Sequence, residues 1–462
     1  MRIDEVYAKP VRPEKVLCFG EGNFLRAFAA AVVQKLDDNA GFDGGIVMLQ
    51  GVERGNAALI NSQNGMYTVV ERGSDDGRAT ENFMRVDCVS RCIDPYSDYE
   101  AYMSVADSAD LRFIVSNTTE FGICYDDGEK VGGTHRNFPA KLTDFLYRRY
   151  RHFKGALDNG PVILPCELIE HNGRTLKTYV TRYAAAWRLE SGFTEWLEKA
   201  VVFADTLVDR IVSGYPADAG EICGKLGYED RLLDVCEPFF LWVIESDDER
   251  VKNIPFASCG LDVVITDNLE PYRTRKVRIL NGAHTMSVAA ALMCGLDTVE
   301  HMIKDETFNA YVRKGLGEVI PTFEGEDLYE YADSVTERFR NPYLNHRLAS
   351  IALNSISKFR ARVLPSIVGY AERFGEAPDV LSFSLAALYF FYLKGGENVR
   401  DEKKLTDETA SCRDISDFLS RAALWGSDLT QVKGLKEKAE KSYGDIATFG
   451  MRAAVGKVTY GK

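Results

Sequence analysis

The run Lys15-Val16-Leu17-Cys18-Phe19-Gly20-Glu21-Gly22-Asn23-Phe24-Leu25-Arg26-Ala27-Phe28 decides the fold. Its first five residues are short, apolar and closed by glycine, which suits a buried strand. From Asn23 to Leu36, Phe24, Phe28 and Val32 recur at i, i+4 with alanines between them, which predicts a helix. Gly20 permits a tight turn between the two. Gly22 lets a pyrophosphate approach the backbone, and the helix N-terminus beyond it offers free N–H groups and a positive dipole end. Asn23 and Phe24 join the two glycines as candidate cofactor contacts. The third glycine of G-x-G-x-x-G is absent, because Leu25 stands there, and a βα turn without a ligand can carry the same pair.

Working outward, Ile46–Leu49, Arg112–Ser116 and Val162–Leu164 read as further buried strands, and Ala140–Phe153 as a helix with basic residues on one side. Strands alternating with helices imply a parallel sheet covered on both faces. An acidic ribose reader belongs near the end of strand two. That strand ends at Gln50, with Glu53 three residues on and Arg54 beside it. Glu53 suits ribose hydroxyls and equally suits a solvated loop, so NAD against NADP stays open here. Ser116-Asn117-Thr118-Thr119-Glu120 follows a later strand, where Asn117, Thr118 and Thr119 can contact a dinucleotide or simply cap a turn.

Past about residue 275 the texture changes. Arg278–Cys294, Thr307–Leu316, Leu348–Arg362, Asp379–Leu393 and Ile415–Ala423 all have helical spacing. The expected organisation is α/β, with a Rossmann-like dinucleotide-binding domain over 1–274 and a mostly helical substrate domain over 275–462. The apolar run Leu381–Leu393 is too short to span a bilayer, which needs about 20 residues, and reads as a buried helix.

The 462 residues suit two domains. A net charge of −13 argues against a nucleic-acid partner, which needs a basic face, but not against a small anion bound in a local basic pocket. Met1-Arg2-Ile3-Asp4-Glu5 carries no apolar run behind its charge, so a cytoplasmic protein is expected, with no membrane partner. The ten cysteines form no C-x-x-C pair and read as buried thiols; His135, His152, His171 and His301 are scattered, so no metal is expected. A homo-oligomer is compatible with all this.

Arg275 to Thr285 reads R-K-V-R-I-L-N-G-A-H-T. As an α-helix it would hold Lys276, Asn281 and His284 within an arc of roughly 140°. A lysine whose pKa is lowered can exchange a proton with a reacting carbonyl oxygen, an asparagine N–H can stabilise an alkoxide, and a histidine can orient a substrate. A solvated basic face, a core histidine and an Asn-Gly turn account for the same letters.

Lys276 to His284 matches the K-x-x-x-x-N-x-x-H signature of the polyol-specific long-chain dehydrogenases/reductases, the mannitol dehydrogenase family, and Gly20–Phe28 resembles that family's G-x-G-N-F-x-R-A motif. Asn61–Gly73, Ser116–Ile123, Leu164–Gly173, Thr206–Val212, Asp267–Thr285 and Arg340–Pro365 resemble its hexuronate-reducing branch. The resemblance implies zinc-independent, NAD(P)-dependent hydride transfer, a Rossmann-like domain followed by a helical domain, and, as the leading reading, D-tagaturonate reduced reversibly to D-altronate with NAD in hexuronate catabolism. It makes Lys276 the general acid/base, Asn281 an oxyanion-hole donor and His284 a substrate contact. It also makes Asp209 a substrate contact, and Lys358 the counterpart of a substrate-binding arginine.

There is one departure. A second oxyanion-hole asparagine in a C-D-N segment of mannitol dehydrogenases corresponds here to Leu168, leaving Asn281 alone or with Asn172 as a substitute. This leans away from polyols. A uronate needs a cation for its carboxylate, and His346 and Lys358 are the preferred pair, with Arg360 and Arg362 in reserve. The alternatives are a fructuronate reductase, a mannitol-type polyol dehydrogenase, or a nucleotide-binding protein without catalysis.

Overall fold

The computed structural model describes residues 1–75, 78–119, 122–344 and 346–461, in two compact units, Met1–Leu269 and Glu270–Lys462.

The first unit is built on a six-stranded, wholly parallel sheet of Glu14–Phe19, Gly45–Leu49, Val89–Ile93, Phe113–Ser116, Val162–Pro165 and Val202–Phe203. Numbered in chain order, these six lie across the sheet as 3-2-1-4-5-6, the doubly wound Rossmann order. The continuous apolar runs follow from burial on both faces. Val16, Cys18, Ile46, Met48, Val115 and Leu164 enter one core, while Leu17, Phe19, Val47, Leu49, Ile114 and Ile163 enter the other.

The helix expected from Asn23 to Leu36 is two, Asn23–Ala27 and Ala29–Ala40. The backbone kinks at Phe28, whose ring stacks on Phe24 at 4.7 Å and Phe240 at 4.3 Å. Two smaller sheets were not legible from periodicity. One orders Val212–Gly214, Asp234–Cys236, Tyr67–Asp75 and Arg78–Val86; the other orders Asp262–Thr266, Leu241–Glu245 and Asp205–Asp209.

The second unit is helical, and among its described residues no strand forms beyond an isolated Thr298–Arg347 bridge. The apolar run lies in a buried helix, Asp379–Lys394, and the Glu318 carboxylate accepts the N–H groups of Asp379, Val380 and Leu381 at its start. Burial pushes the Glu318 pKa up to about 7. Leu348–Arg362 is broken into Leu348–Ile351 and Ser355–Arg362, because Asn354 takes a left-handed conformation (φ 54°) that asparagine tolerates. No described helix is long and apolar enough to cross a membrane.

Candidate functional site

In the first unit the glycine turn lies at the carboxyl end of strand one. The Gly20 N–H donates to Leu49 O, and its φ of 121° is one that L-residues rarely adopt. A Cβ there would sit 3.0 Å from Leu25 Cδ1. Leu25 therefore packs beneath the turn where the fingerprint has its third glycine. Gly22 differs: it is exposed, its φ is −67°, and a Cβ would meet nothing within 4 Å. Among the described residues no contact demands glycine there, so the space beside it is open.

Asn23 is exposed and its Oδ1 accepts from Arg26 Nη2 at 2.6 Å. Phe24 is half-buried against Phe28 and serves packing. Asn117 closes the gap between strands one and four, taking Phe19 O with its N–H and Cys166 O with its carboxamide. Thr118 donates twice to Glu167, through N–H and hydroxyl at 2.8 Å each, and Ser116 donates to the other oxygen at 2.9 Å. Glu167 is buried, which pushes its pKa up. It thus fixes the Ser-Asn-Thr turn. Thr119 is exposed at φ 69°, and Glu120 lies outside the described residues.

Glu53 is exposed in the loop after strand two. The carboxylate that reaches this corner from within is Glu21, which accepts from Gly51 N at 2.9 Å and Asn56 N at 3.2 Å. Glu21 and Glu167 were missed because single acids in polar turns carry no periodic signal. Asp209 is buried at the end of its strand; next to it Arg210 donates to Glu71, Ala27 O and Glu237 O.

Asn172 cannot serve as a second oxyanion donor. Its amide donates to Pro165 O, Glu167 O and Thr206 O, all at 3.0 Å, and its Oδ1 accepts from Thr206 N. Both amide hydrogens are committed to joining strand Val162–Pro165 to Asp205–Asp209. Leu168 is 62% exposed and has no donor to offer.

In the second unit the Lys276–Asn281 segment is not α-helical but a π-turn, continuing as α-helix from Gly282 to Met293. This changes the expected geometry. In an i→i+5 turn, residues five apart stack on one another, so Lys276 and Asn281 share a face rather than diverging by the α-helical angle. His284, three residues beyond Asn281, continues the same face. The signature spacing is thus matched to a π-turn.

Lys276 and His284 are buried and Asn281 is half-buried. The His284 ring stacks on Phe339 at 4.2 Å and meets His346 edge-on at 5.0 Å. Burial, then the nearby His346, Arg362, Arg338 and Lys358, hold the His284 pKa well below the usual histidine range. His346 is lowered too, by burial and by Lys358. Both imidazoles are thus biased toward the neutral form, and the Nδ1 atom of each is buried without a hydrogen bond among the described residues. Lys358 donates to Ile351 O at 3.0 Å. Arg362 reaches Thr285 Oγ1 at 3.4 Å, and Thr285 donates to Asn281 O at 2.8 Å, tying the cation to the signature helix. Arg362 follows Lys358 by four residues on Ser355–Arg362, the same face. Arg360 is exposed, about 200° around that helix from each, and is not brought into the cluster. Among the described residues no three His, Cys, Asp or Glu side chains gather as a metal site.

Residues 14–257 match the mannitol dehydrogenase Rossmann domain and 268–447 the mannitol dehydrogenase C-terminal domain. The chain belongs to the mannitol dehydrogenase family. Within that family, the altronate oxidoreductase of Bacillus subtilis (strain 168) is 43% identical over 457 residues, spanning 96% of this chain and 95% of its own. The altronate oxidoreductase of Klebsiella pneumoniae (strain 342) is 39% identical over 465 residues, 96% of each. Two solved structures share the mannitol dehydrogenase fold. Substrate-free D-sorbitol dehydrogenase matches with a TM-score of 0.82 at 21% identity, over 98% of this chain and 100% of its own. Pseudomonas fluorescens mannitol 2-dehydrogenase, in ternary complex with NAD and D-mannitol, matches at 0.74 and 21%, over 97% and 95%.

Proposed function

We propose that this chain is an NAD-dependent altronate oxidoreductase (tagaturonate reductase), interconverting D-tagaturonate and D-altronate without a metal, as a cytoplasmic enzyme of hexuronate catabolism. The observation that carries the substrate choice is the set of cations Lys358, Arg362 and Arg338 that, with the His346 imidazole, surrounds the signature residue His284. A polyol gives such a cluster nothing to neutralise, whereas a sugar acid brings a carboxylate. The 43% identity to an altronate oxidoreductase supports the same reading.

NADH, when bound, supplies the hydride. Residues 1–274 hold the cofactor, with Gly20, Gly22, Asn23, Asn117, Thr118 and Thr119 at the carboxyl ends of strands one and four. Residues 275–462 supply the proton chemistry. The Lys276 ammonium donates its proton to the keto oxygen as the alcohol forms, and takes it back in the reverse direction. The Asn281 carboxamide donates a hydrogen bond to the same oxygen while charge develops on it. Neutral His284 and buried Asp209 orient hydroxyl groups, and Lys358, Arg362 and His346 hold the carboxylate.

The open space at Gly22 fits a close-lying pyrophosphate, and this is separable from folding. Gly22→Ala is expected to leave stability within about 0.5 kcal/mol, as an exposed change without a clash does, yet to weaken NADH binding. Gly20→Ala is expected to cost about 1–3 kcal/mol, through its strained φ and the contact with Leu25. Thermal melts and fluorescence titration with NADH check both.

The overall reading is tested by NADH consumption with tagaturonate, fructuronate and fructose, each with and without EDTA. Tagaturonate should be the best substrate, with EDTA making no difference. Equal or better turnover of fructose, or NADH binding without turnover of any of the three, would sink it.

A further inference from the structure

A cleft of about 200 Å³ opens in the first unit at the carboxyl ends of strands one and two and the turn after strand four. Phe19, Leu49 and Phe138 give it apolar walls; Gln50 and Gly51 form the strand-two side, and Lys141 and Arg136 also line it. None of the described residues lining it carries a carboxylate.

Lys141 is the unusual member. It lies in the first turns of helix Phe138–His152 and is only 5% exposed. It forms no ion pair among the described residues. Its Nζ donates to Tyr96 Oη at 3.2 Å and stands 4.6 Å from the centre of that ring, while the phenol donates onward to Gly51 O at 2.8 Å. Burial draws its pKa down, and the acid that acts on it, Glu129, is already used by His135 and by the N–H groups of Arg136 and Asn137. A buried ammonium facing a neutral phenol is an incompletely compensated charge, and such a group weakens the fold unless an anion joins it. Arg136, exposed on the rim, likewise makes no ion pair among the described residues.

The surroundings define the anion. The cleft is apolar on its walls, positive at one end, and sits beside strand two, where Gln50 stands in place of the acid that reads an unphosphorylated ribose. We propose that Lys141 is a cofactor-binding residue that neutralises a phosphate on the adenosine side of the dinucleotide, with the apolar walls taking the adenosine. The inference rests on the reading that this unit binds NAD. The phosphate has two sources: the adenosine 5′-phosphate common to NADH and NADPH, or the 2′-phosphate carried by NADPH alone.

The test is Lys141→Met in the full-length protein, read by NADH and NADPH fluorescence titration and by thermal melting. Methionine keeps the stem and removes the charge. The melting temperature of the free protein should stay level or rise, because an uncompensated buried charge is removed. Cofactor affinity should fall roughly 10- to 100-fold, the range for a hydrogen bond to a charged group. Similar loss for both cofactors assigns the 5′-phosphate; loss confined to NADPH assigns the 2′-phosphate. Unchanged affinity for both overturns the proposal. A melting temperature that drops together with affinity passes the decision to Lys141→Arg: restored affinity upholds the proposal, because the charge is retained, and affinity still lost makes Lys141 a structural residue and overturns it. Failure of the unsubstituted protein to bind either cofactor refutes the underlying reading instead.

Discussion

Lys276→Met is expected to lower kcat by roughly 10²- to 10⁴-fold, the usual contribution of a general acid/base, while the NADH dissociation constant stays within about twofold. The split follows from the architecture. Lys276 belongs to the helical unit and the glycine turn to the other, so under the proposed function removing the amine takes away the proposed proton donor and leaves the proposed cofactor contacts in place. Methionine matches the length and apolar stem of the buried lysine, so a collapse of packing is not expected. Asn281→Ala, on the same face of the π-turn, should act in the same direction but less steeply, through loss of one oxyanion donor worth about 2.7–4 kcal/mol in comparable sites. Stopped-flow single turnover separates chemistry from binding. Retention of more than about a tenth of kcat by the Lys276 variant, by comparison with the range for acid–base catalysis, would remove the lysine from its proposed role.

The strand–turn–helix opening was readable because burial on both sheet faces leaves continuous apolar runs and the helix after them has its own period. The parallel sheet followed from the same signal in Ile46–Leu49 and Val162–Leu164. The two smaller sheets were not readable. Strands such as Asp234–Cys236 and Val212–Gly214 are three residues long, too short to show alternation, and their partners come from distant sequence. The signature face shows both sides of this. Lys276, Asn281 and His284 stood out as a spaced signature, but ordinary helical geometry gave them the wrong angles, since no local rule announces a π-turn. Asn172 looked like a spare donor by residue type alone; only the three carbonyls around it reveal that it has no hydrogen to spare. Lys141 sat unnoticed in a run of helical basic residues, because sequence cannot tell a solvated lysine from a buried one.

Removal of the cations beside His284 should change which substrate is used more than how fast the chemistry runs. The double variant Lys358→Met, Arg362→Gln is expected to lower kcat/KM for tagaturonate by roughly 10²- to 10⁴-fold, from two charge-assisted hydrogen bonds of about 1.5–3 kcal/mol each. Turnover of a neutral ketose such as fructose should change by less than about threefold, because a substrate without a carboxylate never engaged them. Arg360→Gln supplies the control: the same helix loses a charge, but from the exposed side, where substitutions stay within about 0.5 kcal/mol. Arg362 also touches Thr285 and through it Asn281, so its loss has a second route to the signature helix. The two routes part on the substrate panel. Lost carboxylate binding penalises tagaturonate alone, whereas a disturbed Asn281 penalises every ketone in proportion. Equal losses on tagaturonate and fructose would assign the cations to the helix pair and leave the carboxylate without a holder.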